Sequence, residues 1–290
     1  MGEGAAVPNL PPAGPRRRLP AWLKRPAPVA QALLRTRQAI NELGLNTVCV
    51  EARCPNLSEC WSRHTATFMV LGDKCTRRCR FCAVSTSACP DPPDPGEPQR
   101  LAQAAHRLGL RHVVITSVTR DDLADEGAGH FAECIRAVRR RLPQASIEVL
   151  VPDFHARREC IQAVLAATPE VFNHNIEVVR NQQKRVRPQA SYERSLETLR
   201  VAKAVSPQVL TKSGLMVGLG ETREELLAAL EDLRAVGCDL LTIGQYLRPS
   251  TGDASGHVPV ERYYPPEAVS YTHLRAHETP EHLVCRLLLE

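Results

Sequence analysis

An α/β fold built on parallel strands is predicted by two features of this 290-residue chain. Six short strand-like runs recur from residue 67 onward. Helix-like runs separate them. Strands that alternate with helices pair in parallel through right-handed crossovers. Six units fall short of the eight that close a full barrel. The pattern fits an open six-stranded barrel and a doubly wound sheet equally well. In either fold a ligand lies beyond the C-terminal ends of the strands.

The elements follow in order. Residues 1–30 hold seven prolines by Pro28 and read as an extended basic arm. Residues 31–45 have helical apolar spacing and stop at Gly44, a C-cap signal. The strand-like runs span 67–72, 112–118, 146–151, 171–175, 209–218 and 239–247. A loop with five prolines between Pro90 and Pro98 follows the first of them. Helical runs cover 99–108, 129–142, 157–167, 192–205 and 222–236. Thr222 with Glu225 three residues on is a capping-box pattern. The last stretch, 269–290, has no strand rhythm.

Composition narrows the class. At 43% hydrophobic and 24% charged residues, the chain can bury an ordinary core. No apolar run is long enough to span a bilayer, so no membrane association is expected. The first 20 residues lack the apolar segment of a secretory signal. The net charge of +5 falls entirely within residues 1–74, which hold 10 Lys+Arg against 5 Asp+Glu. No stretch interleaves aromatic with basic residues as single-strand binders do, so no nucleic-acid partner is expected.

Cysteine is the informative residue. Six of the 11 cysteines lie between Cys49 and Cys82. The chain is too long for a small disulfide scaffold, so clustered thiols read as metal ligands in a reducing compartment. Cys75-x3-Cys79-x2-Cys82 directly follows the first strand, with Phe81 before the last cysteine. Three thiolates are one short of a closed structural zinc site or a fully thiolate-held iron–sulfur cubane. One iron would stay open to an outside ligand. Cys49-x4-Cys54-x5-Cys60 is a second set of three. Cys89, Cys134, Cys160, Cys238 and Cys285 lack partner spacing and read as buried bystanders.

Cx3Cx2C with its aromatic resembles the signature of the radical S-adenosylmethionine (SAM) superfamily. Together with ARCPNLSEC, TSVTRDDLADEGA, FNHNIEVV, TKSGLMVGLGETREE and IGQYLRPS, it is similar in order and spacing to the lipoyl synthase family, over about residues 20–267. The resemblance implies an open six-stranded (β/α)6 partial TIM barrel with an N-terminal cysteine-rich extension. It divides the chain into the arm (1–30), an extension carrying an auxiliary cluster (31–66), the partial barrel (67–267) and an unrelated tail (268–290).

The resemblance also implies the chemistry. Lipoyl synthases insert two sulfur atoms into an octanoyl chain carried on a lysine of a lipoyl domain. Cys75, Cys79 and Cys82 would hold the 4Fe–4S cluster that cleaves SAM. Cys49, Cys54 and Cys60 would hold an auxiliary 4Fe–4S cluster, the sulfur donor. Two SAM molecules serve each lipoyl group. No side chain is expected to act as a catalytic acid, base or nucleophile, since the cofactors supply the radical. The carriers would be the E2 subunit of a 2-oxoacid dehydrogenase or the glycine-cleavage H protein, the reductant a ferredoxin or flavodoxin. The basic arm would steer acidic carriers. The compartment would be a bacterial cytoplasm, with a mitochondrion or plastid as the alternative.

Candidate SAM or substrate contacts are Phe81, Arg120, Asp121, Asn175, Glu177, Lys212, Gly218 and Gln245. Arg120 suits a carboxylate, Asp121 an ammonium, and Gly218 a close approach of backbone to a nucleoside. His174 reads as readily as a structural histidine. The family's Arg-Ser-Ser-Tyr motif, whose serine completes the auxiliary cluster, has no counterpart before or within residues 268–290. The 290-residue chain is therefore expected to cleave SAM yet insert sulfur poorly. The alternatives are a methylthiotransferase-like radical SAM enzyme and a non-enzymatic iron–sulfur or zinc protein.

Overall fold

A computed structural model describes residues 20, 23, 30–52, 57, 67–250 and 256–265. Cys54, Cys60, Cys285, nearly all of the basic arm and residues 266–290 lie outside the described residues.

The chain enters through helix α1 (Ala30–Glu42). Gly44 ends it with φ +57°, which glycine adopts without Cβ strain, and the Leu45 N–H returns to the Ile40 carbonyl at 3.1 Å. Strand β1 (Asn46–Thr47) runs straight into helix α2 (Val48–Glu51), capped by the Thr47 side chain. Strand β2 (Thr67–Val70) opens the barrel. Strands β3 (Lys74–Cys75) and β4 (Ser85–Thr86) pair with each other as a small separate sheet. The repeating units follow: α3 (Glu97–Arg107), β5 (His112–Ser117), α4 (Ala128–Arg141), β6 (Ser146–Leu150), α5 (Arg158–Leu165) and β7 (Val171–Asn173). Then come α6 (Gln183–Val186), α7 (Tyr192–Val205), β8 (Leu210–Val217), α8 (Arg223–Ala235) and β9 (Leu240–Gln245).

The large sheet has the order β1-β2-β5-β6-β7-β8-β9. The β1–β2 pair is antiparallel and every later pair is parallel. Six parallel strands thus follow one another in chain order, and β9 makes no ladder with β2 among the described residues. This is the open (β/α)6 partial barrel. The edge strand β1 adds to it, and at two residues it is too short to leave a periodic signal in the sequence.

Strand alternation separates core from site. On β5 and β6, Val113, Ile115, Ile147 and Val149 are fully buried beneath the helices. Met69, Thr116 and Leu150 stand level in the register and line the inner cavity. Helix α4 buries Phe131, Cys134, Ile135 and Val138, the i, i+3, i+4, i+7 stripe of a core-facing helix. Each large apolar side chain buried in this way stabilises the fold by roughly 1.5–3 kcal/mol. Phe131 meets Phe154 edge to face at 6.3 Å between ring centroids. The expected capping box is present, with Thr222 and Glu225 each satisfying the other's backbone N–H.

Candidate active site

At the C-terminal ends of the parallel strands lies a cavity of about 320 Å3. One wall is the loop that carries Cys75, Cys79 and Cys82, all three of which line it. Met69, Val118, Leu150 and Val151, from β2, β5 and β6 or their ends, form an apolar wall. Asn175 and Glu177, just past β7, supply the polar side. Val48 and Ala52, at the two ends of α2, also reach the cavity. Cys49 on the same short helix is buried in the hydrophobic core.

The loop is tied down along its length. Cys75 ends β3, and its Sγ accepts hydrogen bonds from the Arg77 and Thr119 N–H groups at 3.4 and 3.3 Å. The Cys82 N–H donates to the Cys79 carbonyl at 3.2 Å. The Cys82 carbonyl lies 3.0 Å from His257 Nε2. Burial pushes the Cys79 thiol up, and pushes the Cys82 thiol up to about 12. Such thiols stay protonated until a metal displaces the proton, as a coordinating thiol requires. Three partly buried soft donors facing one cavity therefore fit an iron–sulfur cluster by their chemistry.

Among the described residues, Asp121, Glu126 and His155 form another set of potential ligands, their donor atoms within 4.8 Å of one another. Both Asp121 oxygens already accept from Arg77, and Glu126 accepts from Arg157. Guanidinium groups thus already compensate both carboxylates.

The structure brings some of the sequence-derived contacts together and separates others. Phe81, Asn175 and Glu177 line the cavity. Phe81 also packs against the small core of Val178, Val186, Leu219, Tyr246 and Val258. Burial raises the Glu177 carboxyl above its ordinary range, against the pull of Arg187 and a hydrogen bond from Asn175. Gly214 allows this arrangement, because a Cβ there would lie 2.6 Å from Asn175 Oδ1.

Arg120, Asp121, Lys212, Gly218 and Gln245 are outside the cavity lining. Arg120 is buried, forms a fork with Asp122 at 2.8 Å and donates to the Leu71 carbonyl, so its guanidinium is spent on structure. Asp121 is held by Arg77. The Lys212 ammonium binds Glu148 lower in the barrel at 2.8 and 3.1 Å. Gly218 donates its N–H to Glu221 in the β8–α8 turn at 2.6 Å. Gln245 ties the Val217, Tyr246 and Arg262 carbonyls together.

Arg187 is a cavity residue that the sequence reading passed over. It is buried, yet no carboxylate lies within ion-pair distance among the described residues. It donates to the Ile176 and Asn175 carbonyls at 3.0 and 3.4 Å, and its Nε has no partner. In place of Arg120, the cavity thus presents Arg187 as the cation open to an anionic group. His174, weighed from sequence as a structural histidine, also lines the cavity, and its Nε2 is buried without a partner. Of the bystander cysteines, Cys134 and Cys160 are buried, Cys238 is partly so, and Cys89 is exposed beside the Pro-rich loop. No described helix is long and apolar enough to cross a membrane.

Comparison with known proteins agrees with this geometry. A family model described as the Radical SAM superfamily matches residues 69–233, the barrel with the cysteine loop. A second, the N-terminal domain of lipoyl synthase of the Radical_SAM family, matches residues 9–54. The chain is 52% identical to lipoyl synthase from Thermus thermophilus over 252 residues, covering 87% of this chain and 77% of that protein. It is 53% identical to lipoyl synthase from Symbiobacterium thermophilum, covering 89% and 78%. Among solved structures, methylornithine synthase superimposes with a TM-score of 0.53 at 16% identity, covering 72% of this chain and 60% of that one. Streptococcus suis SuiB bound to S-adenosylmethionine does so with 0.55 at 9%, covering 80% and 53%. At such low identity these two likenesses bear on the fold alone. With that sequence identity across most of its length, the chain belongs to the lipoyl synthase family of radical SAM enzymes.

Proposed function

We propose that this chain inserts two sulfur atoms into the octanoyl group of a lipoyl carrier domain, with the cavity as the site of SAM cleavage. The observation that carries the reading is the meeting, in one cavity, of Cys75, Cys79 and Cys82 with Asn175, Glu177 and Arg187. The three thiols would hold a 4Fe–4S cluster, and Cys49 with Cys54 and Cys60 the auxiliary one. The cofactors supply what side chains cannot: hydrogen abstraction from unactivated carbon by a radical derived from SAM, and the sulfur, drawn from the auxiliary cluster.

The protein's own residues bind, orient and exclude water. Arg187 supplies a desolvated positive charge for a carboxylate. Asn175 and Glu177 offer hydrogen-bonding groups for ribose hydroxyls or an ammonium. Phe81, within the cysteine loop, lines the cavity beside them. The apolar wall of Met69, Val118 and Leu150 suits an acyl chain. The carrier would be the E2 subunit of a 2-oxoacid dehydrogenase or the glycine-cleavage H protein, and the reductant a ferredoxin or flavodoxin. Steering of an acidic carrier by Arg16–Arg18, Lys24 and Arg25 concerns the arm, outside the described residues.

The test is an anaerobic reaction of the reconstituted chain with SAM, a reductant and an octanoylated carrier domain. Formation of deoxyadenosine together with dithiol product supports the reading. The 290-residue chain is expected to give deoxyadenosine with little dithiol, so the same reaction is run on a chain supplied with the family's Arg-Ser-Ser-Tyr motif; deoxyadenosine without dithiol there points to another radical SAM reaction. Stoichiometric zinc without sulfide overturns the assignment.

A further inference from the structure

We infer that Arg77 is a positioning residue: it pins the Cys75–Cys82 loop to the ends of β5 and β6 and so sets where the three thiols stand. The inference rests on the reading that these thiols hold a cluster. Arg77 lies between Cys75 and Cys79. Its side chain is 4% exposed and makes four charge-assisted hydrogen bonds, all at 2.8 Å. Nε and Nη2 donate to the two oxygens of Asp121, beyond β5. Nη1 and Nη2 donate to the two oxygens of Asp153, beyond β6.

These acceptors are themselves fixed. Asp153 is fully buried, and Arg194 on α7 also donates to it at 2.9 Å. The Asp153 carbonyl accepts from the Thr198 hydroxyl on the same helix at 2.9 Å. Asp121 donates its N–H to Thr76 Oγ1 at 3.1 Å, and the Thr76 N–H donates to the Thr119 carbonyl at 3.0 Å. Cys75, Thr76 and Arg77 are therefore joined to Thr119 and Asp121 atom by atom. The later part of the loop has different anchors: the Arg80 N–H donates to the Val186 carbonyl at 2.8 Å, and the Arg78 N–H to Gln189 Oε1.

Charge balance separates this arginine from Arg187. Arg77 and Arg194 face Asp121 and Asp153, two cations against two anions, so no charge is left over for a ligand. Arg187 lines the same cavity without a carboxylate partner. The forked guanidinium matches two carboxylates at once, a geometry that the point charge of a lysine cannot reproduce. Groups that orient metal ligands without touching the metal typically affect metal affinity by about 10–100-fold when removed.

The test compares Arg77→Lys, Arg77→Met and Arg194→Met in the full chain, reconstituted anaerobically. Iron release to a chelator and the electron paramagnetic resonance of the reduced cluster, with and without SAM, are measured alongside thermal melting of the apo chain. Arg77→Lys is expected to release iron about tenfold faster and to alter the spectral response to SAM. Arg194→Met removes one partner of Asp153 and a hydrogen bond to the Gln189 carbonyl, leaving the direct Arg77 bonds to the loop's anchors in place. It is expected to lower the melting temperature and to change iron release and spectrum less than Arg77→Met does. Parent-like iron release and spectra in both Arg77 variants would overturn the inference. So would a cluster defect in Arg194→Met equal to that of Arg77→Met, which would show a general loss of stability. A parent chain that takes up no cluster would sink the cluster reading itself, a result distinct from either.

Discussion

The Nδ1 nitrogen of His174 sits 2.8 Å from the Val151 carbonyl oxygen, and its Nε2 meets no partner. A carbonyl only accepts, so Nδ1 carries the hydrogen and Nε2 keeps a free lone pair. Burial, with Arg187 nearby, lowers the histidine from 6.5 to about 4. The unfolded chain therefore binds a proton in this window that the folded chain does not, and stability falls on acidification. The contribution is complete above pH 6.5 and is lost as pH falls towards 4. In the apo chain, lowering pH from 7 to 5 should cost about 2 kcal/mol through this group. Urea unfolding of the parent and His174→Gln checks it. Equal pH dependence in both would remove the account.

Arg120 and Arg187 are both buried, and their surroundings predict opposite phenotypes. Arg120 is matched by Asp122 and the Leu71 carbonyl. Arg187 has a buried Nε without a hydrogen-bond partner. A charge-assisted hydrogen bond contributes about 1.5–3 kcal/mol, so Arg187→Lys should weaken SAM binding by roughly 10–100-fold. Arg120→Lys should lower the melting temperature and leave SAM affinity nearly unchanged. Equilibrium binding to the reconstituted chain decides it, and the reverse pattern would return the carboxylate contact to Arg120.

Gly214 and Gly218 sit four residues apart around the end of β8 and do different work. An added Cβ at Gly214 would come nearest to the Asn175 side chain, whose amide can swing away. Gly214→Ala should therefore leave stability within about 1 kcal/mol of the parent and raise the KM for SAM, because Asn175 leaves the cavity. At Gly218, φ is +100° and the Cβ would lie 2.4 Å from the Arg262 carbonyl oxygen, which is backbone and cannot yield cheaply. Gly218→Ala should cost about 2 kcal/mol or more. Denaturant midpoints and SAM titrations on the two variants separate the effects.

Much of the barrel was legible because its elements obey strong local rules. The strand from Val113 to Ile115 and the Phe131–Val138 stripe follow periods of 2 and 3.6, and the Thr222 cap is a local pattern. The cysteine loop was legible from spacing alone. What failed was long-range: sequence showed that Arg120 follows a strand, not that Asp122 would occupy it. Arg187, 67 residues further on, reaches the cavity only because the β7–α7 connection folds back over it. Arg77 was hidden for the same reason, since its partners Asp121 and Asp153 lie 44 and 76 residues away.

Three consecutive residues after β6 are held in the left-handed region: Phe154, His155 and Ala156, with φ of 44°, 48° and 55°. Each L-residue there brings its Cβ towards a carbonyl oxygen, at roughly 1–2 kcal/mol. The surroundings enforce the turn. Asp153 before it is fixed by Arg77 and Arg194, and the Ala156 N–H donates back to the Asp153 carbonyl at 2.7 Å. Phe154 is fully buried against Phe131, and His155 Nδ1 lies 2.8 Å from Glu126. Replacing either of those side chains would lose contacts as well as strain. Ala156 makes no side-chain hydrogen bond, so Ala156→Gly removes strain with little else. Glycine also enlarges the unfolded ensemble, which offsets part of the gain, and a net stabilisation of about 0.5–1 kcal/mol remains. The urea midpoint should rise with an unchanged slope. Ala156→Val, β-branched at the same backbone angle, should lower it. If glycine lowers the midpoint instead, the turn is not strained at this position, and the Asp153 anchor holds a relaxed loop.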